Sequence, residues 1–154
     1  MNAPVVKAQM LIRKPVAEVF EAFVDPAVTT KFWFTHSTGR LEPGKEVRWD
    51  WAMYGASAQV RVKEIEPNRR ILIEWPDHFG VFCPVEWLFT PRADGTTFVT
   101  ISTWGFSGSE DQVVGQAIDS MGGFSLLLAG AKAQLEHNIA LNLTGDHAPD
   151  AHKQ

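Results

Sequence analysis

The sequence is poor in residues that would cross-link it or anchor it elsewhere. Cys83 is the only cysteine, which excludes an intrachain disulfide and a multi-cysteine metal site. A single thiol is also compatible with a reducing compartment. The aliphatic run Leu126-Leu127-Leu128-Ala129 falls far short of the roughly 20 residues a membrane helix needs. The opening MNAPVVKAQMLIRKP lacks a charged stretch followed by an apolar one, so no signal peptide is expected. Positive charge is scarce as well: 14 Lys and Arg stand against 18 Asp and Glu, without clusters, for a net charge of −4. Phosphate backbones are bound by clustered cations, so nucleic acid is excluded as a partner. A soluble, cytoplasmic single domain without a membrane span is the expectation.

Aromatic residues, by contrast, are abundant, with six tryptophans and ten phenylalanines in 154 residues. In EVRWDWAMYG, residues 46–55, strand alternation would send Val47, Trp49 and Trp51 to one face and Arg48 and Asp50 to the other. That aromatic face either fills a core or lines a binding site.

The chain divides by hydrophobic period. Residues 5–13 read as a strand ended by Lys14-Pro15, and Val16, Val19, Phe20 and Phe23 then recur at helical spacing to about Val24. Asp25-Pro26 carries the signature of a cap followed by a first-turn proline, predicting a short second helix to about Phe32. Period two follows in Val47/Trp49/Trp51, Ala58/Val60/Val62, Ile71/Ile73/Trp75, Val85/Trp87/Phe89 and Phe98/Thr100/Ser102/Trp104. Turn residues separate these runs, so the pattern predicts an antiparallel meander with one apolar face. Arg48, Asp50, Gln59, Arg61, Lys63, Glu74 and Glu86 fall on the opposite, solvated face.

Helical period returns after a Ser109-Glu110-Asp111 cap, with Met121, Phe124, Leu128, Ala131, Leu135 and Ile139 facing inward to about Leu141. Gly122-Gly123 marks a candidate break into two helices. Residues 1–143 thus form one α+β domain, and 144–154 read as a polar, frayed tail. The sheet's apolar face must be covered, and the C-terminal helix is the long amphipathic element available. Bulky sheet residues opposite Gly130, Ala131 and Ala133 fit either an interlocked core or an open cavity.

Several segments resemble one family. Lys14-Pro15-Val16-Ala17-Glu18-Val19-Phe20-Glu21-Ala22-Phe23 with Asp25-Pro26 is similar to the opening of proteins related to the activator of the heat-shock protein 90 ATPase. So are Leu41-Glu42-Pro43-Gly44, Ile65-Glu66-Pro67-Asn68-Arg69-Arg70-Ile71, Gly95-Thr96-Thr97, and Gly123-Phe124 with Leu127, Leu128 and Leu135-Glu136. This resemblance, over about residues 8–142, implies the START-like helix-grip fold of the SRPBCC superfamily. In that fold a curved antiparallel sheet wraps a long C-terminal helix, with two short helices after the first strand. It further implies an apolar cavity that takes a hydrophobic or aromatic small molecule. Co-chaperone activity does not follow, because the protein that names the family carries an additional N-terminal domain.

The residues expected to line such a cavity are Trp33, Trp49, Trp51, Trp75, Trp87, Trp104, Phe124 and Leu128, since indole and phenyl faces supply apolar contact. His36 and His78 are the candidate polar groups. Glu74 to Cys83 places an acid, His78 and the thiol on one loop, with Phe79 and Phe82 as candidate gates. A Cys–His nucleophile there lacks an identifiable orienting group or oxyanion donor, so no catalytic residue is assigned. His137, His147 and His152 have no partner at ligand spacing, and neither metal nor cofactor is expected. Two alternatives stay open. One is a cyclase, dehydratase or hydrolase using His36 or His78 as acid–base. The other is a co-chaperone-like interaction module with an exposed apolar patch. The assembly is expected to be a monomer or a homodimer.

Overall fold

The computed structural model describes residues 3–151; His152 lies outside them. Strand β1 (Val6–Ile12) leads into α1 (Val16–Val24) and α2 (Pro26–Thr29). β2 (His36–Ser37) and β3 (Glu46–Trp51) follow, then a 3-10 turn at Ala52–Tyr54, β4 (Ala56–Glu66), β5 (Arg70–Pro76), β6 (Phe82–Pro91) and β7 (Thr97–Thr103). Helices α3 (Glu110–His137) and α4 (Leu143–Asp146) complete the chain. The seven strands form one sheet in the order β1-β7-β6-β5-β4-β3-β2, antiparallel throughout. This is the α+β helix-grip architecture: a meander whose first strand returns to pair with the last, and a long helix across the apolar face.

Local chemistry accounts for the boundaries. Pro15 is the extended residue before α1 (φ −61°, ψ 150°) rather than its first helical residue. The Asp25 carboxylate accepts the Ala27 N–H at 3.0 Å, and Pro26 occupies the first turn of α2. Asn68, left-handed at φ 62°, makes the tight β4–β5 turn, a conformation Asn tolerates better than most residues. α3 starts with a capping box: the Ser109 hydroxyl accepts the Gln112 N–H, and the Gln112 side chain accepts the Ser109 N–H at 2.9 Å. It ends where Asn138 turns left-handed at φ 53°.

The inner face carries Val47, Trp49, Val60, Val62, Ile71, Ile73, Val85, Trp87, Phe89, Val99 and Ile101, all buried. Phe20 and Phe23 from α1 reach the same layer, with Phe20 edge-on to Phe89 at 5.4 Å. The C-terminal half of α3 is clamped to β1. Lys132 Nζ donates to the Leu11 carbonyl at 2.7 Å and to Glu136 at 2.6 Å, and Glu136 accepts the Arg13 N–H at 2.8 Å. Across the outer face run ion pairs such as Arg61–Glu46 at 3.2 Å and Arg70–Glu86 at 2.7 Å.

Four sequence expectations change. On β7 Thr97, Val99, Ile101 and Thr103 are buried at alternate positions, so Phe98 and Thr100 occupy the opposite face, where Ser102 is buried as well. The alternation there was ambiguous because both faces carry residues that suit a strand. α3 runs unbroken through Gly122-Gly123, the packing of Phe124, Leu127, Leu128 and Ala131 outweighing the propensity cost. Its inner face is Gln116, Phe124, Leu127, Leu128, Gly130, Ala131 and Gln134, while Met121 and Ile139 are exposed. Finally, the segment from Thr144, read as a frayed tail, begins inside α4, where the Thr144 carbonyl accepts a hydrogen bond from the Tyr54 hydroxyl. α3 has the length and composition of a membrane-spanning helix, but in this fold one face of it lies packed on the sheet.

Candidate functional site

The aromatic stretch that opens β3 sits in the core. Trp49 is 1% exposed, stacked on Phe34 at 4.8 Å and edge-on to Trp33 at 4.9 Å. Trp51 joins the cluster half-buried, 5.7 Å from Trp33. Trp87 is equally enclosed, with its indole N–H lacking a partner among the described residues, and Leu128 is buried on the inner face of α3.

The open space lies next to this cluster, not within it. A cavity of about 190 Å³ opens beneath the N-terminal half of α3, beside the loop that joins β5 to β6. Its apolar walls are Trp33, Trp75, Pro76, Cys83, Phe106 and Phe124. Trp75 and Phe124 lie nearly parallel, 6.0 Å apart and 14° from coplanar. Its polar lining comes from Asp77 and His78 on the loop and Gln116, Asp119 and Ser120 on α3. A larger groove of about 610 Å³ runs between α1 and the end of α3, but it has no aromatic wall.

Of the residues expected to line a site, the fold brings Trp33, Trp75, Phe124 and His78 together. Trp49, Trp87 and Leu128 are core instead: Trp33, Phe34 and Trp75 enclose Trp49, Phe23 and Phe124 flank Trp87, and Leu128 is buried on the inner face of α3. Trp51 packs against the core cluster, and Trp104 follows the end of β7, away from the lining. His36 sits on the edge strand β2 with its side chain 62% exposed, Nδ1 3.2 Å from Asp50 Oδ2 on the solvated face. Phe79 is exposed, as a gate requires, but Phe82 lies under the Arg61 guanidinium, 3.6 Å from its ring centroid, on the sheet's outer side.

Asp77 and Gln116 escaped sequence reading, and they build the mouth. One Asp77 oxygen accepts the Phe79 and Val81 N–H groups at 2.9 and 3.0 Å. The other accepts the Ser107 N–H at 2.8 Å and its hydroxyl at 2.6 Å. Burial would raise the Asp77 pKa, but the Ser107 hydroxyl and these three backbone donors outweigh it and hold the group down at about 2. Gln116, 2% exposed, accepts the His78 N–H at 2.9 Å and donates to the Ser107 carbonyl at 2.9 Å. The loop is thereby latched to the segment entering α3. Stepping the helical period back from Phe124 by four and eight residues reaches Ser120 and Gln116, which is the signal that would have found them. Nothing in the sequence pairs His78 with Asp119, whose Oδ2 lies 3.3 Å from His78 Nε2.

The arrangement suits binding better than nucleophilic chemistry. Burial pushes the Cys83 thiol up to about 11, aided by the Asp77 and Glu74 charges, and its hydrogen-bond partner is Thr103 rather than His78. Among the described residues no three His, Cys, Asp or Glu side chains gather at metal-binding distance.

Comparison with known proteins agrees with this architecture. The family profile described as "Activator of Hsp90 ATPase homolog 1-like protein" matches residues 13–133. A crystal structure of a Staphylococcus saprophyticus protein is 30% identical, with a TM-score of 0.76 over 90% of this chain and 96% of that one. The Aha1 dimer from Colwellia psychrerythraea shares the fold at 13% identity and a TM-score of 0.73, over 87% and 97% of the two chains. DynU16, a protein in the dynemicin biosynthetic locus, does so at 24% identity and a TM-score of 0.71, over 88% of this chain and 48% of its own. The chain therefore spans about half the length of DynU16. No curated protein sequence gives a significant match.

Proposed function

The chain belongs to the family of Activator of Hsp90 ATPase homolog 1-like proteins, and from that footing we propose that it binds a small hydrophobic or aromatic molecule beneath the N-terminal half of α3. The observation that carries this reading is an aromatic-walled cavity with a few convergent polar groups, the usual composition of a small-molecule site. Trp33, Trp75, Phe106 and Phe124 would supply apolar contact, and Gln116, His78 and Asp119 the orienting groups. Cys83 serves as wall. An engineered cavity of about 150 Å³ accommodates benzene, so the space here suits one ring and a short arm.

Native mass spectrometry of freshly purified protein tests the proposal. A discrete excess mass that vanishes on denaturation supports it. A clean apoprotein mass, together with no change in tryptophan fluorescence on titration with single-ring aromatics, rejects it.

Self-association is a second reading, favoured by one observation. Val114, Ile118 and Met121, at helical spacing on α3, are 39%, 69% and 43% exposed. The Colwellia psychrerythraea neighbour is described as a dimer. Light scattering of the wild type against Ile118→Glu decides it: a dimer that dissociates in the variant supports this face, and a wild-type monomer rejects it.

A further inference from the structure

The charge around the cavity narrows the ligand class. Among the described lining residues there are two carboxylates, Asp77 and Asp119, one histidine, and no Lys or Arg. Asp77 spends both oxygens on four N–H and O–H donors of the surrounding loops. Asp119 differs: it is 72% exposed at the mouth, with Oδ2 3.3 Å from Nε2 of His78, itself 58% exposed. A carboxylate or phosphate on a ligand would therefore meet two carboxylates, with no Lys or Arg among the described lining residues to receive it. A positive group would meet Asp119 at the rim and electron-rich indole and phenyl faces behind it. The apolar walls and the 190 Å³ volume limit the rest of the ligand to about one ring.

On the reading that this cavity is a ligand site, we infer that its ligand is a single-ring aromatic molecule bearing a protonated amine on a short arm. The ring lies among Trp33, Trp75 and Phe124, and the ammonium reaches Asp119. The larger groove beside α1 does not compete, since it mixes Lys31 with Glu18 and Glu21 and lacks a ring to stack on.

The test titrates the protein with three probes of nearly equal size, phenethylamine, 2-phenylethanol and phenylacetate, by calorimetry and tryptophan fluorescence at low salt. Phenethylamine is expected to bind about fivefold to tenfold more tightly than the alcohol, from an exposed ion pair plus a cation–π contact. Phenylacetate is expected to bind more weakly than either. Asp119→Asn, at an exposed position that should not disturb folding, is expected to bring the amine down to the alcohol's affinity. His78→Ala is expected to keep the preference for the amine. Phenylacetate binding as tightly as the amine overturns the inference, as does an amine preference that survives Asp119→Asn. Alcohol binding without any amine preference overturns it while leaving the cavity reading intact. Failure of all three probes, with a clean native mass, overturns both.

Discussion

The two halves of α3 treat the same sheet differently. From Phe124 onward the helix is in dry contact: Leu127, Leu128 and Ala131 are at most 1% exposed, and Lys132 and Glu136 tie it to β1. Before Phe124 it stands off the sheet, leaving the cavity beneath and Val114, Ile118 and Met121 exposed above. Glycine shows the contrast most clearly. A Cβ on Gly130 would come within 3.3 Å of the Phe32 carbonyl oxygen, whereas one on Gly122 or Gly123 would meet nothing within 4 Å. Gly130 is small so that two backbones can approach; Gly123 lines the cavity and Gly122 is exposed.

Substitutions can sharpen or break that contrast. The largest effect is expected at Trp49, whose truncation to alanine should cost about 3–5 kcal/mol of stability, as large core deletions do. Trp75→Ala, at the cavity wall, should cost less in a denaturant titration and instead abolish ligand retention. Equal losses at the two sites would erase the distinction between core and cavity.

Next in size is the mouth. Asp77 titrates at about 2 in the folded chain against an ordinary 3.8. A depressed carboxylate pKa stabilises the fold above the unfolded-state value. That contribution, on the order of 2 kcal/mol, is present in full above about pH 4 and is lost as pH falls through about 2. Asp77→Asn should remove it and flatten the acid limb of stability against pH. An unchanged acid limb would count against the latch.

The glycines give a smaller test with opposite signs. Gly122→Ala should stabilise by up to about 1 kcal/mol through helix propensity, while Gly130→Ala should destabilise because the Phe32 carbonyl must move. Thermal melts of the pair decide it; the same sign at both positions would refute the two-halves picture. The smallest effect expected is none: Cys83 should resist a thiol reagent at pH 8 until the protein is unfolded, because its raised pKa keeps it protonated.

Much of the fold was legible because hydrophobic period, proline and capping residues act locally. Val47/Trp49, Val60/Val62, Ile71/Ile73 and Val85/Trp87 announced the apolar face of the sheet, Asp25-Pro26 announced α2, and Ser109 the start of α3. The site was only half legible. Trp33, Trp75, Phe124 and His78, singled out by residue type and the family resemblance, line the candidate cavity, whereas Trp49, Trp87 and Leu128, singled out on the same grounds, are buried in the core.

The sequence by itself determined the elements, their order and the supply of aromatic side chains, since each of these depends on neighbours within a few residues. Tertiary structure alone decided which aromatics touch one another and which touch empty space. That outcome depends on how closely α3 approaches the sheet along its length, and on the Asp77–Ser107 and His78–Gln116 hydrogen bonds, which span 30 and 38 residues of chain, holding the mouth together.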